Sequence, residues 1–366
     1  GSGTHPVVDA TNDVCNTWRG NDGAVSGVGV TVASMERAAN GAGDNPPPAA
    51  CRRVDADMSP EEFWETVVLP QVPVVLTGGR PWPAAAAWSS QALKANHGHA
   101  PVHVKVAPGG VFEGCEPVAA WGGHGVIPDR VWEQLVSTDS VLVRPATQET
   151  TLQGFFERAE AAVRRNSSTV FYLEYLSATS YLGSMWDDVV DPPCAAKLQL
   201  ASRNLWLALQ PTVAGLHFDA YDNIMTVLDG TKTFNMLHPK HSAAVYEGHL
   251  REALLQYDET ADEFLRTELM ESTSMVNSPV EVDAVDADAF PLFLGVEQEM
   301  VTCTVEAGES LWMPAFWYHE VHSDVNQATG RHLAVNHWYH PVFNKPFPCQ
   351  DCALQFSTDT YVEEVL

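Results

Sequence analysis

The sequence predicts a mainly β protein, a sandwich or jelly roll, with its helices gathered in the N-terminal half. From Asn204 onward, apolar, β-branched and aromatic runs succeed one another as NLWLAL, VAGLHFD, NIMTVLDG, KTFNMLH, EMVTCTVEA, ESLWMPA, HEVHSD and HLAVNHWYH, punctuated by glycines at 215, 230 and 308. Many short strands with Gly and Pro turns are the signature of two-sheet architectures. No internal repeat at a spacing of roughly 20–50 residues competes with that reading.

Taken in order, residues 1–50 are rich in Gly, Ala, Asn and Pro and end in GAGDNPPPAA, so a flexible leader is expected, with one short helix near SMERAA. The opening GSGTH lacks a methionine and looks like an added remnant, which leaves a removed targeting segment open. The folded unit is expected over 51–345 and a C-terminal tail over 346–366. Ser59-Pro60-Glu61-Glu62 starts a helix: Ser59 can cap, Pro60 loses no needed N–H, and Glu62 completes the capping box before FWETVVL. PVVLTGG (73–79) is a buried strand stopped by glycines. A short helix from Ser89 to Gly98, strands VHVKVA and SVLVRPA, a helix over 151–165 and the strand TVFYLEYL follow. In the C-terminal half only SAAVYEGHLREALLQ (242–256) has helical spacing.

The chain has 366 residues, 45% hydrophobic and 18% charged, enough for a real core and ordinary for a soluble globular protein. Its 47 acidic against 20 basic residues give a net charge of -27. A phosphate backbone is repelled by such a surface, so nucleic acid is a poor partner and a basic protein a better one. Ten acidic residues between Asp258 and Asp288 face the single Arg266, and a solvated acidic insertion is expected over about 257–290. Seven cysteines, at 15, 51, 115, 194, 303, 349 and 352, form no recognisable disulfide framework, and a reducing compartment is expected. Cys349 and Cys352 make a CxxC with no second pair to complete a four-sulfur zinc cage. No apolar run of some 18 residues is present, so no membrane span is expected.

LHFDAYDN (216–223) contains the first chemical motif. Residues i and i+2 of a strand share a face, so His217 and Asp219 would point together into a barrel mouth. One imidazole and one carboxylate are two thirds of the 2-His-1-carboxylate triad that holds Fe(II) with open positions. GESLWMPAFWYHEVHS (308–323) offers the third ligand, His319, with His322 as the alternative. Lys232, 15 residues after His217 and just past a DGT turn, would reach the neighbouring strand, where its ammonium could take a carboxylate.

HFD, YDN, GTK, EAGESLWMPAFWYHEV and LAVNHWY, in that order, resemble the JmjC-type Fe(II) and 2-oxoglutarate-dependent oxygenases. FWETVVLPQVPVVLTGGRPWPAAAAWSSQAL (63–93) is similar to the opening of the small JmjC hydroxylases, and the likeness covers about residues 55–345. Within that family, VLVRPATQETTLQGFFER, TVFYLEYL and MVTCTVEAGESLWMPAFWYHEV most resemble the lysyl hydroxylases of developmentally regulated GTP-binding proteins.

The resemblance implies a double-stranded β-helix of the cupin type with flanking N-terminal α/β elements. It implies His217, Asp219 and His319 as catalytic iron ligands, and Lys232 as partner of the far carboxylate of 2-oxoglutarate. Asn223, Tyr172, Asn336, Asn204 and Trp338 match positions beside the cosubstrate, and Trp206 a pocket-lining one. Ala214 departs from the family, which often has a hydroxyl residue three positions before the first histidine; water, Thr226 or Tyr172 must substitute. Asp222 and Glu174 are candidates to recognise a cationic side chain, or else are solvated acids. With Fe(II), 2-oxoglutarate and O2, the implied activity is hydroxylation of a lysine on a basic protein, a GTP-binding protein by this likeness, in the cytoplasm or nucleus, with room for a homodimer. The alternatives are lysine demethylation, tRNA-base hydroxylation, and a non-catalytic metal-binding cupin.

Overall fold

A computed structural model describes residues 49–79, 82–122 and 134–342. The helix expected near SMERAA and the Cys349/Cys352 pair lie outside the described residues. The strands, in chain order, begin with β1 (Ala49–Ala50), β2 (Arg52–Asp55), β3 (Val74–Thr77), β4 (Pro101–Pro108), β5 (Val111–Phe112), β6 (Cys115–Pro117), β7 (Ser140–Arg144), β8 (Ala146–Thr151) and β9 (Thr169–Ser177). They continue with β10 (Leu200–Ala208), β11 (Thr212–His217), β12 (Asp222–Asp229), β13 (Thr231–Leu237), β14 (Leu250–Asp258) and β15 (Glu263–Ser274). The last four are β16 (Val301–Glu306), β17 (Ser310–Met313), β18 (Tyr318–Asp324) and β19 (His332–Tyr339).

Two large sheets form the expected jelly roll. One runs β1-β16-β13-β18-β11-β5, the other β2-β3-β17-β12-β19-β10-β9-β4-β8. Their inner faces meet through Met225, Val227, Leu311 and Met313 on one side and Phe234, Met236 and Val305 on the other. Alternation supplies this, because each strand sends every second side chain inward. On the outer face of the longer sheet lie the N-terminal elements. Ser59 Oγ accepts from the Glu62 N–H and opens the helix Pro60–Phe63, which widens into a π turn over Trp64–Val68 and packs Phe63 edge-on against Trp312 at 5.5 Å. The helix Leu152–Arg165 is capped by Thr151, ends at a left-handed Asn166, and buries Phe155, Phe156, Ala159 and Ala162. Among the described residues no helix is long and apolar enough to cross a membrane.

Three expectations are corrected. Residues 242–256 are not a helix: a 3-10 turn at Pro239–His241 leads through further turns into β14. Parallel pairing with β7 and antiparallel pairing with β15 overrides the helix-forming character of REALLQ. The acidic stretch is likewise no wholly solvated insertion, since Glu263–Ser274 is a strand, Arg266 Nε and Nη2 grip Glu116 at 2.6 and 2.7 Å, and Ser278 and Val280 are buried. Finally, Cys51 and Cys303 form a disulfide. β1 pairs parallel with β16, Ala49 opposite Val301 and Ala50 opposite Thr302, which brings Cys51 to Cys303 across 252 residues of chain with a Cα separation of 4.8 Å. The bond removes the cysteine argument for a reducing compartment.

Candidate active site

Between the two sheets lies a cavity of about 380 Å³, and His217, Asp219, His319 and Lys232 line it. His217 ends β11 directly after a register shift between Ala214 and His217, an irregularity that re-aims a strand's side chains. Gly215 belongs there because a Cβ would come 2.7 Å from the Glu113 carbonyl oxygen. His319 is the cross-strand partner of His217, with ring centroids 4.2 Å apart. Asp219 lies just beyond the strand rather than within it, and its carbonyl accepts from the Phe316 N–H at 2.8 Å.

Donor atoms of His217, Asp219 and His319 lie within 4.8 Å of one another. His217 Nδ1 is 2.7 Å from the Gly215 carbonyl and His319 Nδ1 is 2.8 Å from that of Trp317. A carbonyl only accepts, so both Nδ1 atoms donate, and Nε2 is the nitrogen each ring has left for a metal. Burial pushes the Asp219 carboxyl up, opposed by His217, and holds the His319 imidazole well down. Two imidazoles that turn the same ring nitrogen inward beside one carboxylate fit a divalent ion such as Fe(II).

Lys232 approaches from β13, in register with Ser323 of β18, which is in turn opposite Thr212 of β11. Its Nζ donates to Ser323 Oγ at 2.7 Å, reaches Tyr172 Oη at 3.5 Å and lies 5.9 Å from the Trp206 ring centre. Burial lowers the Lys232 pKa to about 7, with Glu174 opposing. These hydroxyls beside one ammonium make a cradle for a carboxylate, and they answer the missing hydroxyl at Ala214. Thr226 is not the substitute: its Oγ1 sits 2.7 Å from Ser310 Oγ, away from the cavity. Thr212 and Ser323 were missed by sequence reasoning, although Ser323 has the strand parity of His319.

Asn223 and Trp338 line the cavity, while Asn336 and Asn204 stand one layer behind. The Asn336 amide donates to Asn223 at 3.2 Å and accepts from Asn204 at 3.2 Å and Trp206 Nε1 at 2.9 Å, so it fixes the wall. Asp222 is neither solvated nor in the cavity: fully buried, it accepts from the Ala315 and Val342 N–H groups at 2.9 Å each. Glu174 does face the cavity, its pKa raised to about 8 by burial and then by Glu113. Glu113 joins Arg144, which donates to Glu252 at 2.6 Å, while the Asn277 amide donates to Glu113 at 3.1 Å. At the rim, Tyr221 stacks on Trp338 at 5.0 Å and 11°, and Tyr175, with a left-handed φ of 54°, meets Trp338 at 5.0 Å. Tyr175 and Tyr221 were also missed by sequence reasoning. His322 lies on the other face of β18, bonded to Glu320 at 2.7 Å.

A family model described as a cupin-like domain matches residues 60–345. The chain is 25% identical over 299 residues to the bifunctional peptidase and (3S)-lysyl hydroxylase of Homo sapiens, covering 80% of this chain and 84% of that one. It is 26% identical over 306 residues to a lysine-specific demethylase of Arabidopsis thaliana, covering 80% and 82%. It is 23% identical over 298 residues to JmjC domain-containing protein E of Dictyostelium discoideum, covering 76% and 80%.

Proposed function

The chain belongs to the cupin-like domain family, and from that premise, with JmjC proteins among its relatives, we propose that it is an Fe(II)- and 2-oxoglutarate-dependent protein hydroxylase acting on lysine. The observation that carries this reading is the convergence of His217, Asp219 and His319 with the buried Lys232 in one cavity. A structural metal site would have no use for an ammonium and hydroxyls arranged beside it. When bound, iron with 2-oxoglutarate and O2 would supply decarboxylation to succinate and carbon dioxide coupled to insertion of one oxygen into a C–H bond.

The chain's own groups do the rest. Lys232, Ser323, Thr212 and Tyr172 orient the cosubstrate's distal carboxylate; the Asn336 network holds Asn223 and Trp206 against it; the packed sheets keep water out. Tyr175, Tyr221 and Trp338 offer π faces to a cationic side chain. The relative named as a lysyl hydroxylase supports lysine as target, and a GTP-binding protein is the candidate to try. An aromatic rim suits a methylated ammonium equally, and a relative is named as a lysine demethylase, so demethylation is the second reading.

Purified protein with Fe(II) and a basic protein substrate is expected to convert 2-oxoglutarate to succinate. Asp219→Ala should lower turnover by more than about a hundredfold, beyond the loss of an outer partner of a metal ligand. Unchanged turnover in that variant would sink the assignment. Mass spectrometry of the substrate separates the readings: a lysine heavier by one oxygen means hydroxylation, and loss of a methyl group with formaldehyde means demethylation.

A further inference from the structure

β18 has two chemically loaded faces. His319, Val321 and Ser323 line the active cavity, and strand alternation turns Glu320 and His322 to the other side. There they meet Asp283, from the segment after β15, at the edge of a separate cavity of about 270 Å³. His322 Nε2 is 2.7 Å from Glu320 Oε1 and 3.5 Å from Asp283 Oδ2, and one donor atom of each residue lies within 4.8 Å of the others.

Acidic side chains border this cavity, one of them, Glu113, being paired with Arg144. Glu113, Glu281, Asp283 and Glu320 border it, and among the described residues no lysine or arginine does. Glu320 is 4% exposed, with His322 on one oxygen at 2.7 Å and the Val282 N–H on the other at 3.2 Å. Both carboxylates face the one imidazole, so a divalent cation here would take the place of the proton that His322 shares with them.

We infer that Asp283, Glu320 and His322 form a second metal site, for a borderline divalent cation of the Zn2+ type. One nitrogen and two oxygen donors without sulfur suit that class, and three protein ligands leave a position for water. The site would act on the iron cavity from behind. Phe218 N–H donates to the Val276 carbonyl at 3.0 Å and Ser278 N–H to that of Leu216 at 2.8 Å, so the chain that reaches Asp283 first runs alongside His217. A cation at Asp283 clamps that wall to β18.

The inference is independent of the proposed reaction, and its test uses metal content rather than turnover. Asp219→Ala protein dialysed against Zn2+ is expected to retain about one equivalent, and adding Asp283→Ala should weaken binding at least about tenfold. Asp283 is 56% exposed, so this replacement leaves the core intact. Equal zinc in the two proteins, or none in Asp219→Ala, would overturn the site and leave only His322–carboxylate ion pairs. X-ray absorption on zinc-loaded Asp219→Ala needs no further substitution. One imidazole among oxygen ligands is expected; two imidazoles would return the ion to His217 and His319 and overturn the proposal.

Discussion

Lys232 shows how a single buried charge ties recognition to pH. Burial lowers its pKa to about 7, so the ammonium dominates below that value and the neutral amine above it. Only the ammonium pairs with a carboxylate, so 2-oxoglutarate affinity should be greatest below about 7 and decline as pH rises, with the bound carboxylate delaying the decline. Calorimetric titration at several pH values checks this, and a flat profile would count against it. Lys232→Met removes a desolvated charge and keeps an apolar stem, so it is expected to raise the melting temperature while abolishing cosubstrate binding. A lower melting temperature with binding retained would contradict the account. His217, Asp219 and His319 were legible through the motifs of the resemblance, and Lys232 through the tight turn ahead of it; strand parity does not relate His217 to Asp219, because β11 ends at His217. The resemblance put Asn336 and Asn204 beside the cosubstrate, whereas they stand behind the wall that Asn223 and Trp206 present to the cavity.

The turn ahead of Lys232 is where an element's geometry governs the site. Gly230 has a φ of 76°, and a Cβ there would lie 2.4 Å from the Asp324 carbonyl oxygen and 2.8 Å from His332 Cβ. Asp229 fixes the same turn, accepting from Arg331 Nε at 2.8 Å and Asn326 Nδ2 at 2.9 Å. Gly230→Ala should therefore cost more than about 1 kcal/mol, the scale of forced backbone conformations, and weaken 2-oxoglutarate binding through displacement of β13. Denaturant unfolding measures the first effect, and a neutral result would show that the turn yields. Element types were mostly legible, because glycine-bounded β-branched runs leave little choice. β14 and β15 were exceptions: β14 favours a helix locally, β15 lies in the acidic stretch, and their pairing with each other and of β14 with β7 makes them strands.

At the scale of the whole molecule, a net charge of -27 should steer basic protein substrates toward the rim. Raising ionic strength is then expected to increase the apparent KM for such a substrate, and a salt-independent KM would argue against steering. The two-sheet architecture was readable because short strands with frequent turns admit few packings. The cysteine pairing was not, because nothing local marks partners 252 residues apart that meet only when β1 joins β16.

That disulfide closes Cys51 through Cys303 into a covalent ring. His217, Asp219 and Lys232 belong to the ring, and His319 lies on the tail that leaves it. An ion shared by the three ligands would lace the tail back onto the ring, a second closure that a chelator opens and a reductant does not.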